Sequence, residues 1–401
     1  MIRRVFSAFE SRDFRLLWAG ACTSSIGTWM QKLAQSWLVL QLSGSPFLLG
    51  LDAFLGEIPI FLFSLVGGVV ADRVDRRYVL LASQFVQMSC AFLLTGLIAF
   101  KLVVVWHILA LSFVVGFAQA FGGPAYQALI PTLVKQDHLP NAIAMNSIQF
   151  NVARVIGPVL GGLALTQLGA AWCFGLNGLS FVAVMVSLVL LRIRFVPGGH
   201  TGSMLTSMRQ GFGFIRGKPG MVALIVLSFL ATMLGIPLMV FLPVFAKDVF
   251  RQGPTVYTLL LAFSGAGSIA GGLLVAATGN ARRKGRVIVM TLVVLGILMV
   301  AFSLSRWLPM SCAFVFLAGA SMIVVFATLS SLVQLLTHDD MRGRVMSVYN
   351  VAFRGGMPMG SLVAGALAPA LTAPVVLAIY GVLLSLLGLY FLVVQRKVAA
   401  I

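Results

Sequence analysis

Charge is what this 401-residue chain has least of: Asp, Glu, Lys and Arg together make up 9% of it, and only ten residues are acidic. A soluble globular domain carries roughly 25% charged residues. A chain this poor in charge could not cover a surface facing water on all sides. Cysteine is scarce too. Cys22, Cys90, Cys173 and Cys312 lie far apart in apolar stretches, with neither metal-ligand spacing nor a disulfide framework. His107, His138, His200 and His338 are scattered. No glycine-rich loop ends in lysine and serine or threonine, so no ATP-driven engine is indicated. His-Glu-x-x-His and Gly-x-Ser-x-Gly are both missing, and Gly211 and Gly213 have no strand-turn-helix setting. The sequence therefore predicts no catalytic residue, no metal, no cofactor and no enzyme activity.

What is present is apolar. Hydrophobic residues make up 60% of the chain, with thirty Phe, eighteen Met and forty-one Gly. Lipid-facing residues should be apolar, and glycine is common where membrane helices pack closely. A spanning helix needs about 20 mainly apolar residues. Twelve such segments are predicted, at 16–40, 47–71, 78–100, 105–129, 142–168, 171–193, 221–246, 255–279, 287–305, 308–335, 345–371 and 374–394. Met1 to Arg15 reads as a basic amphipathic lead-in, not a cleaved leader. The one long connection, 194–220, holds Pro197-Gly198-Gly199 and the basic residues Arg209, Arg216 and Lys218. It divides the chain into an N-terminal six-helix bundle (1–193), a cytoplasmic linker (194–220) and a C-terminal six-helix bundle (221–401).

The net charge of +18 would suggest nucleic acid in a soluble protein, but no soluble stretch is long enough, and no nucleic-acid partner is expected. With the N-terminus inside, 21 of the 28 Lys and Arg fall in cytoplasmic segments. Only Lys101, Lys247, Arg251 and Arg306 lie on the other face, and Lys32, Arg154 and Arg354 lie within spans. That bias places both termini in the cytoplasm. The halves also repeat: Arg154 and Pro158 in the fifth span recur as Arg354 and Pro358 in the eleventh, and His138 recurs as His338. Paired halves suit transporters whose site lies at the repeat interface.

Charges at membrane depth are functional candidates by default. Glu57, near the middle of the second span, must be paired or protonated. It is the main candidate for proton coupling, the alternative being a static ion pair; Asp52 sits nearer the outer end, where it could reach water. Thr28, Lys32 and Gln35 share one helical face and should look into a polar cavity, with Lys32 meeting either Glu57 or an anionic substrate. Arg154 (with Ser147 and Asn151 on its face) and Arg354 (with Ser347 and Asn350) either favour an acidic, catecholate-like substrate or bind backbone carbonyls. Gln119 and Tyr126 are weaker cavity candidates, with helix–helix hydrogen bonds as the alternative.

The loop after the second span reads Gly68-Val-Val-Ala71-Asp72-Arg73-Val-Asp75-Arg76-Arg77. It resembles the signature loop of the major facilitator superfamily, with Val70 and Asp75 departing from the leucine and second glycine of that pattern. The resemblance implies a latch in which Asp72, Arg73, Arg76 and Arg77 work with Arg342 and Arg344; the alternative is a solvated loop that only sets topology. Gly157-Pro158 with Gly161-Gly162 resembles the glycine-proline motif of exporters in that superfamily, the alternative being a packed kink. Asp13-Phe14-Arg15 with Trp18, and Leu139-Pro140-Asn141-Ala142, are similar to its enterobactin-exporter and drug-efflux branch.

Taken together, these features predict an all-α, twelve-helix major facilitator fold of two six-helix bundles. The chain would be a monomer in the bacterial inner membrane. It would export a siderophore-like or drug-like small molecule by alternating access, with protons as the coupling ion. A lipid-flipping protein on the same fold is the alternative.

Overall fold

The computed structural model describes residues 6–192, 204–277, 284–338 and 341–394. Pro197 to Gly199 of the linker and the basic residues Arg194, Arg282, Arg283, Arg396 and Lys397 lie outside them. The described residues form helices and no strand. In chain order these are α1 (Arg12–Ser43), α2 (Pro46–Arg73), α3 (Arg76–Ala99), α4 (Val105–Leu133), α5 (Leu139–Gln167), α6 (Ala170–Leu190) and α7 (Met204–Arg216), followed by α8 (Pro219–Gly235), α9 (Pro237–Val244), α10 (Pro254–Ala277), α11 (Lys284–Leu304), α12 (Leu308–Leu335), α13 (Arg342–Leu371) and α14 (Ala373–Val393).

Ten of the helical segments are long and apolar enough to cross a membrane. The chain is a multi-pass membrane protein. α1 and α13 do not reach that apolarity, although 32 and 30 residues are ample for a core about 30 Å thick. They are the two helices that hold Lys32 and Arg354. Counting them gives the expected twelve spans.

Two details differ from the sequence expectation. The seventh span, expected at 221–246 as one helix, is divided into α8, α9 and a π-helical turn at Phe245–Val249. Pro237 and Pro243 each lack the N–H that a continuous ladder requires. The 194–220 connection contains a helix of its own, α7. Its Gly211 lies so near the Arg344 carbonyl that a side chain there would come within 2.7 Å of the oxygen.

The chain forms two compact units, one of Met1–Ser43 with Leu55–Thr201, the other of Gly44–Phe54 with Gly202–Ile401. In the first, α1 packs on α5 and α6, and α3 packs on α4 and α6. In the second, α8 packs on α13, and α11 packs on α12 and α14. The Arg154/Arg354 sequence repeat thus reappears as a repeated pattern of helix pairs.

Candidate functional site

Helix α1 carries the polar stripe. It packs closely against α5, through the glycine-proline motif. A Cβ at Gly157 would collide with the Cβ of Trp29, and one at Gly161 would stand 2.9 Å from the Met30 Cα. Gly157, Pro158, Gly161 and Gly162 are all buried, and Gly157 and Gly161 face α1. These small residues let two helices approach without a hydrophobic driving force. The motif therefore has a concrete local role: it seats Trp29 against α5.

Trp29 is flanked by two cations. Lys32 Nζ lies 5.4 Å from the ring centroid and Arg154 Cζ lies 5.7 Å from it, both within cation–π range. Phe150 meets the ring edge-on at 6.1 Å. Lys32 Nζ also reaches Glu57 Oε1 on α2 at 3.7 Å. The Lys32 side chain is 57% exposed and that of Glu57 29%. At this exposure an ion pair contributes on the order of 1 kcal/mol or less, whereas breaking a sealed buried pair costs about 3–5 kcal/mol. The pair is therefore not sealed within the packed helices.

Around it runs a polar chain that links three helices. Asn177 Nδ2 donates to Gln31 Oε1 at 2.6 Å, Gln31 Nε2 to Gln35 Oε1 at 3.5 Å, and Gln35 Nε2 to Ser112 Oγ at 2.9 Å. The sequence marks Gln35 as a cavity residue but not Gln31, Ser112 or Asn177. An amide or hydroxyl inside an apolar span was the available signal.

Other expected members stand apart. Thr28 donates back to the Ser24 carbonyl at 2.9 Å, the ordinary bond of a hydroxyl within its own helix. Ser147 and Asn151 likewise bond their own helix and not Arg154. Gln119 accepts from Gln87 at 3.2 Å and Tyr126 donates to Asn146 at 2.7 Å, both helix–helix bonds. Asp52, expected to reach water, is only 7% exposed and has a partner. Arg354, expected to be buried like Arg154, is exposed. An arginine's long stem can carry its head away from a span's packed face.

The signature loop bonds both within itself and to neighbouring helices of its own unit. Asp72 pairs with Arg76 at 3.7 Å, and Arg76 also donates to the Ala71 and Ala128 carbonyls. Asp75, standing where the superfamily pattern has glycine, caps α3 by accepting the Arg77 N–H at 2.9 Å, a preferred cap chemistry. Arg77 donates to the carbonyls of Val189 and Leu191 at the end of α6. Arg73 is exposed. In the second unit, Arg344 donates to Met341 Sδ at 3.3 Å, and Arg342 too has a partner. Close packing falls on Gly67, next to Gly68, where a side chain would meet the Ala120 carbonyl.

The N-terminal and fifth-span motifs dock on one another. Trp18 Nε1 donates to the Met145 carbonyl at 2.9 Å, Asn141 Oδ1 accepts the Ala8 N–H at 3.0 Å, and Phe9 meets Trp18 edge-on at 5.1 Å. Two stretches that looked separately familiar in sequence form a single clamp. Among the described residues no group of His, Cys, Asp and Glu could hold a metal.

Comparison with known proteins agrees with this architecture. Macrolide efflux protein A of Streptococcus pyogenes is 23% identical over 86% of this chain and 87% of its own length. The enterobactin exporter EntS of Salmonella typhimurium is 25% identical over 95% of this chain and 92% of its own. Among solved structures, a bacterial homologue of the human lysosomal transporter Spinster superposes with a TM-score of 0.77 at 14% identity, covering 96% of both chains. The nucleoside transporter NupG gives 0.73 at 15% identity, covering 95% of this chain and 98% of NupG. Residues 4–400 match the family described as transmembrane secretion effector, and the chain belongs to that family of major facilitator superfamily transporters.

Proposed function

We propose that the protein exports a siderophore-like or drug-like small molecule from the cytoplasm across the bacterial inner membrane by alternating access, in exchange for protons. The observation that carries this reading is the half-open Lys32–Glu57 pair beside Trp29. It supplies a carboxylate able to take a proton and two cations able to hold an acidic group. Proton arrival from outside neutralises Glu57 and releases Lys32. Proton loss to the inside restores the pair as substrate binds. Arg154 meets the acidic part of the cargo, while Trp29 and Phe150 offer it an apolar wall. In this scheme the halves are 1–193 and 221–401, joined by the 194–220 linker; the protein works as a monomer with both termini inside, and Gly68, Asp72, Arg73, Arg76, Arg77, Arg342 and Arg344 belong to the latch. Export is favoured over import by the two efflux relatives. The test is transport by everted membrane vesicles under an imposed pH gradient, screened over anionic and cationic compounds. Wild type should accumulate an anionic compound and dissipate the gradient, and Glu57→Gln should abolish gradient-driven uptake while leaving substrate exchange. Wild-type uptake rates in Glu57→Gln would remove the proton role.

A further inference from the structure

A groove of 340 Å³ lies between α3 and α6, lined by Met88, Val182, Met185, Val186, Val189 and Leu190. Four of these, Val182, Val186, Val189 and Leu190, are exposed. At one end of the groove stands Arg77. Val189 connects the two: its side chain lines the groove, while its carbonyl accepts Arg77 Nη2 at 2.7 Å. Arg77 Nη1 donates to the Leu191 carbonyl at 3.4 Å, and its buried Nε has no partner. Two of its five donors are thus used, both on neutral carbonyls. No ion pair joins Arg77 to a carboxylate among the described residues. The nearby acidic groups are engaged: Asp75 caps α3, Asp72 pairs with Arg76, and Asp13 accepts the Arg192 N–H.

We propose that this groove is a binding site for one anionic diacyl phospholipid from the leaflet beside the α3 N-terminus, with its phosphate at Arg77 and an acyl chain between α3 and α6. Along α3 the distance from Arg77 to Met88 is about 16 Å at 1.5 Å per residue, roughly half the ~30 Å hydrocarbon core. That is the reach of a chain whose headgroup lies at the interface. Tyr78, 65% exposed beside Arg77, belongs to the residue types that mark headgroup level. Apolar lining alone selects nothing, because acyl chains are equally apolar elsewhere in the bilayer. Selectivity must come from the Arg77 guanidinium, which no carboxylate pairs among the described residues. The proposal holds whatever the transported cargo is.

The experiment uses the full chain in nanodiscs of phosphatidylcholine with a minor fraction of phosphatidylglycerol, and native mass spectrometry counts the lipids retained. Wild type should keep phosphatidylglycerol over phosphatidylcholine by about five-fold, the worth of one basic residue at a lipid surface. Val186→Trp fills the groove from an exposed position without touching Arg77, and it should bring the ratio close to one; so should Arg77→Gln if it folds. Val382→Trp, exposed on α14, should keep the preference. No preference in wild type overturns the site. So does a preference that survives Val186→Trp, or a groove covered by a second copy of the chain, seen as a dimer mass that Val186→Trp disrupts.

Discussion

At the scale of single residues, Trp29 is the least replaceable side chain outside the charges themselves. Its ring lies within cation–π range of both Lys32 and Arg154, so both heads share one aromatic surface. Each cation–π contact at a partly exposed site is worth about 0.5–1 kcal/mol, equivalent to a two- to five-fold change in an equilibrium. Trp29→Leu should therefore weaken apparent substrate affinity by about five-fold or more, the product of two such contacts. Trp29→Phe should retain most of it. Concentration-dependent uptake in everted vesicles separates the two, and equal affinities for Leu and Phe would show that the ring is only packing. Little of this arrangement was legible in the sequence. Trp29 and Lys32 are one helical turn apart, but Arg154 is brought to the ring by α5, and Asn177 reaches Gln31 across 146 positions. Contacts at that separation leave no local pattern to read. Glu57 and Lys32 could be singled out because an ionised group inside an apolar span is conspicuous whatever it touches.

At the scale of helices, the same glycine solution is used in both units. Gly157 and Gly161 of α5 press on α1 at Trp29 and Met30, while Gly356 and Gly360 of α13 press on α8 at Phe229 and Met233. In each case the nearest atoms include backbone, which cannot move aside as a flexible side-chain tip can. Gly161→Val and Gly360→Val should each destabilise the protein by about 1–3 kcal/mol, the usual cost of overpacking. The check is a lowered melting temperature for each variant in detergent, with an unaltered melt for Gly213→Ala, where a side chain meets open space. The spans themselves were legible, because about 20 apolar residues between short basic loops admit few other readings. The break near Pro237 was visible as a residue but was absorbed into a continuous hydropathy peak. Helix α7 was obscured by its basic, glycine-bearing sequence; its packing on α13 accompanies a helix that hydropathy alone would leave as a linker.

At the scale of the whole molecule, the distribution of charge gives the orientation a sharp test. Lys and Arg crowd one set of connections in this chain, and such a bias normally fixes which loops stay in the cytoplasm. The native cysteines give a quiet background, since Cys90, Cys173 and Cys312 are buried and Cys22 is half-buried within α1. Single cysteines can therefore be placed on exposed loop and helix-end positions: Leu102→Cys and Gln252→Cys on one set, Arg209→Cys and Gly343→Cys on the other. With both termini inside, a membrane-impermeant maleimide should label positions 102 and 252 in intact cells. Positions 209 and 343 should react only after the membrane is opened. The reverse pattern would turn the transporter over and, with it, the proposed direction of transport. A mixed pattern would mean a miscounted span, and α1 and α13, the two least apolar of the twelve, are where such a miscount would arise. Their lower apolarity comes from many polar and small residues, Lys32 and Arg354 among them. Labelling consistent with twelve crossings would show that both helices span despite these polar residues.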